Sequence, residues 1–253
     1  MDQMSIELPA GQLHVRCWGT PTTRAPILLL HDSLGSAALW RDFPDALVQA
    51  TGRQVYAYDR FGFGESSARH QRPSIRFIEE EATQVFPALM DALSLQRCVP
   101  FGHSVGGAMA LTIAANHPDR CEAVVSLSAQ ASVEQRTLDG IRAARAQFAQ
   151  PGQLDRLARW HGDKAAWVLD AWAGVWLSPG FRDWSLMPAL ANVHCPALVI
   201  HGDGDEYGSV EFPRSIAANV PGPVRLEILE GCGHLPHRER REEVLEIVAA
   251  FLA

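Results

Sequence analysis

The sequence lacks several features that would place the protein outside the cytoplasm. No hydrophobic run approaches the ~18 residues that cross a bilayer. Residues 1–5 show no basic segment leading into an apolar one, as a signal peptide would. The five cysteines are widely spaced and form no C-x-x-C pair, so we expect no disulfide framework. These absences predict a protein of the reducing cytoplasm with no membrane partner.

Positive charge is also scarce. Lys and Arg number 22 against 29 Asp and Glu, which gives a net charge of −7, and no basic run occurs. We therefore expect a small-molecule substrate and no nucleic-acid partner; the oligomeric state stays open. No phosphate-binding glycine motif follows a strand. Cys232, His234 and His237 have the chemistry of metal ligands, but spacing supplies no further ligand, so we expect neither cofactor nor metal.

The 253 residues are 47% hydrophobic and 20% charged, a balance typical of one compact globular domain. Short apolar runs alternate with segments of helical spacing. This alternation predicts the α/β class, with a mostly parallel central sheet covered by helices on both faces. The predicted strands are 13–18 (an outer antiparallel strand), 27–30, 55–58, 98–101, 123–127, 197–200 and 226–229, and the predicted helices are 37–50, 77–93 with a kink at Pro87, 105–117 and 242–252.

The alternation is interrupted once, at about 130–190, where no strand is evident and five of the seven tryptophans occur. We interpret this stretch as a helical cap inserted into a single domain that spans 1–253. Trp172 and Trp176 are four residues apart and share one helix face. They either attach the cap to the core or line an apolar pocket for an aromatic or medium-length acyl group.

A serine sits between a predicted strand and a predicted helix, in Gly102-His103-Ser104-Val105-Gly106. This is the G-x-S-x-G nucleophile elbow, in which a sharp turn exposes the serine hydroxyl above the sheet. The small glycines permit the close backbone approach that the turn needs. The pattern predicts Ser104 as a nucleophile.

A serine hydroxyl needs a base, and that base needs an orienting carboxylate. His234 follows the last predicted strand and is the candidate base. Asp205 follows the strand before it and is the candidate acid, with Asp203 as the alternative. The order Ser104, Asp205, His234 is the order of this architecture.

Five stretches together resemble the α/β-hydrolase fold family over nearly the whole chain. They are 31–36, 58–66, the elbow at 102–107, the turn at 202–205, and Gly233-His234. The resemblance implies a catalytic triad of Ser104, Asp205 and His234. It also implies an oxyanion hole formed by the backbone N–H groups of Ser33 and Val105.

Asp32 departs from the family pattern, because relatives usually have glycine there. A carboxylate pointing into an oxyanion hole would oppose the charge that develops in the transition state. We therefore expect Asp32 to turn away and accept hydrogen bonds that hold the loop. Asp59 and Arg60 should fix a turn, His31 and His103 should shape the backbone of the site, and Cys232 should be a packed thiol; the role of His237 is undecided.

The predicted function is a serine hydrolase that acts on a carboxylic ester through an acyl-enzyme. Three alternatives use the same fold. They are a carbon–carbon bond hydrolase of a ring-cleavage product, a cofactor-free haloperoxidase-like enzyme, and a slow-turnover ligand receptor. Ser104 argues against dehalogenases and epoxide hydrolases of this fold, because those use an aspartate nucleophile.

Overall fold

An eight-stranded sheet forms the centre of the computed structural model, which describes residues 1–253. The strand order is β1-β2-β4-β3-β5-β6-β7-β8. β1 pairs antiparallel with β2, and β2 with β4, while all other neighbours are parallel. The strands are β1 (Asp2–Leu8), β2 (Gly11–Trp18), β3 (Ile27–Leu30), β4 (Val55–Tyr58), β5 (Val99–His103), β6 (Val124–Leu127), β7 (Ala197–Gly202) and β8 (Val224–Leu229).

Eleven α-helices surround the sheet or form the cap, and none combines the length and hydropathy needed to cross a membrane. They are α1 (Phe43–Thr51), α2 (Phe77–Glu80), α3 (Phe86–Ala92), α4 (Val105–Asn116), α5 (Gln135–Phe148), α6 (Gln153–His161), α7 (Ala165–Trp176), α8 (Met187–Leu190), α9 (Glu211–Asn219), α10 (Pro236–Glu239) and α11 (Arg241–Phe251).

Both faces of the sheet are covered by apolar side chains. In β3, Leu28 and Leu30 pack into one hydrophobic cluster, and Ile27 and Leu29 pack into the cluster on the opposite face. All four are fully buried, each contributing roughly 1.5–3 kcal/mol through burial. The predicted α/β class, with a mostly parallel sheet covered on both faces, is therefore confirmed. The parallel strands end at one edge, so the loops that follow them meet there.

Two elements were not predicted, and two predicted helices differ from the structure. The sequence analysis missed β1, which makes β2 an inner strand. Met4, Ile6 and Leu8 of β1 alternate with exposed polar residues and pack half-buried against the core, so the strand has the period-2 pattern of an edge strand. Helix α9, which connects β7 to β8, was also not predicted.

The predicted helix over 37–50 is two elements. A 3₁₀ turn covers Ala37–Trp40, and the chain reverses at Arg41, which has φ 55°. α1 then starts close before Pro44, because proline is tolerated only in the first turn of a helix.

The predicted helix over 77–93 contains a π-helical segment at Glu81–Val85, directly before α3. Pro87 has no N–H, and its ring crowds the carbonyl four residues earlier. The wider π turn accommodates both effects.

Between β6 and β7 the chain forms α5, α6, α7 and α8, in the stretch predicted to be helical. Hydrogen bonds connect the start of this cap to the loop after β7. Thr137 Oγ1 donates to the Tyr207 carbonyl at 2.7 Å, and Ser209 Oγ donates to Glu134 at 2.7 Å. The cap is thereby held over the edge of the sheet where the loops meet.

Candidate active site

Ser104 lies in the turn between β5 and α4 with φ 57° and ψ −125°. A residue other than glycine adopts such a backbone at a cost of about 1–3 kcal/mol, which surrounding structure must offset. A Cβ on Gly102 would lie 1.8 Å from the Gly106 carbonyl oxygen, and one on Gly106 would lie 2.1 Å from that of Leu30. The turn therefore requires glycine at both positions and has the geometry of a nucleophile elbow.

Asp205 and His234 are hydrogen-bonded to each other beside this elbow. His234 Nδ1 donates to Asp205 Oδ2 at 2.7 Å. The other oxygen, Oδ1, accepts the backbone N–H groups of Tyr207 at 2.7 Å and Gly208 at 3.2 Å. This arrangement leaves His234 Nε2 free to accept a proton, and Ser104 and His234 line one cavity. Ser104 Oγ and His234 Nε2 are not hydrogen-bonded; in such sites that bond often forms only with substrate bound.

The Asp205–His234 pair changes the pKa of both groups. Burial disfavours the charged imidazole of His234, but the hydrogen bond and charge of Asp205 outweigh burial and raise its pKa above the ordinary value. Burial likewise acts to raise the pKa of Asp205, yet the hydrogen bond from His234 lowers it. The pair is therefore suited to stabilising an imidazolium that forms during a reaction.

The raised pKa predicts a shifted pH profile. Catalysis by His234 as a base requires the neutral ring, so kcat/KM should fall as pH drops through its pKa. We expect the midpoint of that acid limb above the ordinary histidine value of about 6.5. It should move to lower pH in the residual activity of Asp205→Asn and stay in place in Asp203→Asn. A wild-type midpoint below 6.5 would contradict the assignment.

Asp203, the alternative acid, does not contact His234. Its side chain is at the surface, where Oδ1 accepts the Gly231 backbone N–H at 2.7 Å. It fixes the turn that precedes the histidine loop. The structure therefore pairs His234 with Asp205.

The two N–H groups expected to form the oxyanion hole are both unpaired. Val105 is the first residue of α4, so its N–H has no acceptor within the helix. The N–H of Ser33, in the loop after β3, also makes no hydrogen bond within the protein. Ser33 lines the cavity that contains Ser104. Both donors are available to a developing negative charge.

Asp32 lies at the edge of this cavity, with 27% of its side chain exposed. Its Oδ1 accepts the Leu34 N–H at 2.8 Å, and its Oδ2 lies 3.5 Å from His103 Nδ1. Burial opposes ionisation, but His103 and the Leu34 N–H together lower the pKa of Asp32 well below its usual range. The carboxylate accepts one hydrogen bond within its own loop, and it still borders the cavity.

We expect Asp32→Gly to keep most of the turnover of a neutral ester while lowering the free energy of unfolding by about 1–2 kcal/mol. The loss comes from one hydrogen bond and from a freer unfolded chain. Steady-state kinetics and urea unfolding check both effects, and Asp32→Asn, which keeps an acceptor oxygen, serves as the matched control. A rate loss of several orders of magnitude with unchanged stability would mean that Asp32 takes part in the chemistry.

The loop after β3, which carries Ser33, is attached to the loop after β4. His31 Nδ1 donates to the Asp32 carbonyl at 2.8 Å, and its Nε2 accepts the Arg60 N–H at 3.1 Å. The Arg60 guanidinium donates to the same carbonyl at 2.8 Å. The Asp59 carboxylate accepts the Ala37 N–H at 2.6 Å. His31, Asp59 and Arg60 therefore shape the backbone, as predicted from the sequence.

A cap residue that sequence reasoning missed also holds this loop. His161 ends α6 and is buried. Its Nδ1 accepts the Gly64 N–H at 2.9 Å, and its Nε2 donates to the Leu34 carbonyl at 3.0 Å. His161 thus connects the cap to the loop that carries the Ser33 N–H.

Replacing His161 with phenylalanine keeps a ring but leaves the Gly64 N–H and the Leu34 carbonyl without partners. We expect a loss of roughly 1–3 kcal/mol in unfolding free energy. We also expect a fall of about tenfold in kcat, smaller than the 10²–10³ for removing an oxyanion donor. Thermal unfolding and ester kinetics measure both, with His194→Phe at the surface as control. An unchanged kcat at reduced stability would mean that the two hydrogen bonds of His161 serve stability alone.

Three other residues singled out in the sequence lie close to the Asp205–His234 pair. His103 Nε2 donates to the His234 carbonyl at 2.7 Å and so holds the backbone at His234. His237 is buried against Trp40, with ring centroids 5.0 Å apart, and burial holds its pKa well below the ordinary value. Burial raises the pKa of the Cys232 thiol to about 11, so it is a packed thiol and not a second nucleophile. No group of three or more His, Cys, Asp or Glu side chains is arranged to hold a metal ion.

A cavity of about 220 Å³ lies over Ser104. Trp172 and Trp176 line it, and Trp176 also packs on Phe181 with ring centroids 5.0 Å apart. Trp176 therefore both lines the pocket and packs within the hydrophobic core. Sequence reasoning missed the remaining side chains of the wall. Gln130, Thr137 and Ile141 come from the cap, and Glu206 and Tyr207 come from the loop after β7.

Comparisons with known proteins find hydrolases. The chain is 24% identical to a proline iminopeptidase of Lactobacillus delbrueckii subsp. bulgaricus, covering 97% of this chain and 96% of that protein. It is 24% identical to a 2-hydroxy-6-oxo-2,4-heptadienoate hydrolase of Pseudomonas putida, covering 90% and 89%. The crystal structure of a bacterial membrane phospholipase A superposes with a TM-score of 0.81 at 22% identity, covering 99% and 85%.

The sequence model of the α/β hydrolase fold matches residues 25–240, which include the elbow, both residues of the Asp205–His234 pair and the cap. The matched span is most of the chain, and the sheet order and the loops at its edge accord with it. The protein is therefore a hydrolase that belongs to the α/β-hydrolase fold family.

Proposed function

We propose that the protein hydrolyses a carboxylic ester of small to medium size, with an apolar or aromatic acyl part, through an acyl-enzyme. The observation that carries this proposal is the tryptophan-walled cavity of about 220 Å³ over Ser104. An apolar chamber of this size accommodates a short acyl chain or a single ring. The Asp205–His234 hydrogen bond beside it supplies the base that a serine nucleophile needs.

In the proposed reaction, Ser104 Oγ attacks the ester carbonyl carbon while its proton passes to His234 Nε2. The N–H groups of Ser33 and Val105 donate to the oxyanion. The carbon–oxygen bond to the alcohol then breaks, and the leaving oxygen takes the proton from His234. Water, deprotonated by His234, attacks the acyl carbon and releases the acid and the free Ser104 hydroxyl.

The location in this proposal is the cytoplasm, and the substrate is a free small molecule. All five cysteines are unpaired thiols, which suits a reducing compartment. No cofactor enters the proposed steps, because serine, histidine and backbone N–H groups supply the nucleophile, the proton transfers and the charge stabilisation.

A second candidate is cleavage of an amide next to a free amino or imino terminus. Two carboxylates, Asp32 and Glu206, line the cavity over Ser104, and no lysine or arginine does. A substrate cation near the scissile bond would be attracted to these charges. Relatives named proline iminopeptidase direct attention to the same chemistry.

One substrate panel separates these candidates. It contains para-nitrophenyl butyrate, proline para-nitroanilide, and a vinylogous diketone of the kind that carbon–carbon bond hydrolases cleave. We expect kcat/KM for the butyrate ester to exceed that for the other two compounds, with all activity lost in Ser104→Ala. Faster cleavage of the anilide would favour the peptidase, and faster cleavage of the diketone would favour the carbon–carbon hydrolase.

A further inference from the structure

A second cavity of about 350 Å³ lies beside the one that contains Ser104. The two share Asp32, Leu34 and Leu235 in their walls, so the cavities adjoin, and together they are called the cleft. The steps proposed for ester hydrolysis use only the first. A substrate that fills both would be of the size typical for bound small molecules, several hundred Å³.

The second cavity has an apolar wall formed mainly by the cap. Phe148 ends α5, and Leu157 and Trp160 lie on α6. Trp160 is 37% exposed, one of the few large hydrophobic side chains that the protein leaves open to solvent. An apolar arm of a substrate would cover this exposed surface.

Two arginines border the same cavity without a carboxylate partner. Arg156 forms no hydrogen bond or ion pair, whereas other surface arginines such as Arg72 and Arg120 do. Arg238 donates only to the Leu39 carbonyl, at 2.7 Å, and forms no ion pair. Because a guanidinium binds a carboxylate through two parallel hydrogen bonds, this pair is suited to an anionic oxygen group.

Charge is thus distributed unevenly along the cleft. The chamber over Ser104 carries the carboxylates of Asp32 and Glu206 and no guanidinium. The second cavity carries Arg156 and Arg238 against the single carboxylate of Asp32, which lies at the junction. A negative group would be repelled near the scissile bond and attracted further along the cleft.

From this division we infer that the physiological ester carries a carboxylate at the far end of an apolar arm, and that this arm lies in the second cavity with its carboxylate between Arg156 and Arg238. The inference rests on the proposed ester hydrolysis and specifies its substrate class. Asp32 then separates the reacting end of the substrate from the anchoring end. The arginines bind the substrate and take no part in bond breaking.

The test uses two matched substrate pairs, because the arm can belong to the acid or to the alcohol. The first pair is mono-para-nitrophenyl suberate and its methyl ester, and the second is para-(butyryloxy)benzoate and its methyl ester. In wild type we expect kcat/KM for the carboxylate member to exceed that for its methyl ester by about tenfold or more in at least one pair. In R156Q/R238Q this ratio should fall to about one, chiefly through KM, because uniform binding is lost. Arg159→Gln, on the same helix but outside the cavity, should leave the ratio unchanged.

A ratio near one in wild type for both pairs, or a high ratio that persists in R156Q/R238Q, would overturn the inference while leaving ester hydrolysis intact. Binding of the intact carboxylate esters to Ser104→Ala by calorimetry gives a readout that needs no turnover. There we expect a Kd at least about tenfold weaker in the triple variant that also carries R156Q/R238Q. Failure of wild type to cleave any of the four esters would overturn the proposed function as well.

Discussion

Ser104→Ala should lower kcat/KM for an ester by on the order of 10⁴-fold or more, with folding unchanged. The alanine removes the proposed nucleophile, while the cavity, the Asp205–His234 pair and the N–H donors stay in place. Steady-state kinetics with para-nitrophenyl butyrate measure the loss. Circular dichroism and thermal unfolding establish that the variant is folded.

Ser128 offers a matched control for this variant. It is buried directly after β6 and also has a positive φ, 52°, but it does not line the cavity over Ser104. Ser128→Ala therefore makes the same chemical change at a position that also has a positive φ, and we expect near wild-type rates. Comparable losses in both variants would mean that the elbow matters only for structure.

Asp205→Asn should cost roughly 10³–10⁴-fold in kcat with the fold intact. The carboxylate at present accepts the His234 Nδ1 proton, which leaves Nε2 free for Ser104. An amide can donate to Nδ1 instead and so favour the tautomer that carries its proton on Nε2. Asp203→Asn, at the surface two residues away, should cost far less. If the two results are reversed, the acid is Asp203 and the observed pairing is not the working one.

The sheet and the elbow were predictable because each depends on local sequence. Parallel strands buried on both faces are continuous apolar runs, as in 27–30 and 197–200. The elbow needs two glycines at fixed distances from Ser104, and the Gly102 and Gly106 contacts explain why no other residue fits.

Most of the residues that were not predicted depend on contacts between distant parts of the chain. β1 is an exception, because Met4, Ile6 and Leu8 alternate with polar residues and pack against the core, a local period-2 pattern that could have been found. His161 contacts Gly64 and Leu34, which are separated from it by about 100 residues or more, so no local pattern marks it. The cavity wall was missed for the same reason, since Gln130 and Ile141 line the cavity only when the cap lies over the sheet. Glu206 and Tyr207 could have been found, because they directly follow the candidate acid.

The central claim is that Ser104 is the nucleophile of an acyl-enzyme. The most direct test is covalent labelling of the intact protein with a fluorophosphonate, followed by peptide mapping by mass spectrometry. The account predicts a single adduct on the peptide that contains Ser104, loss of esterase activity in proportion to labelling, and no adduct in Ser104→Ala. An adduct on another residue, or an active protein that the probe leaves unlabelled, would contradict it.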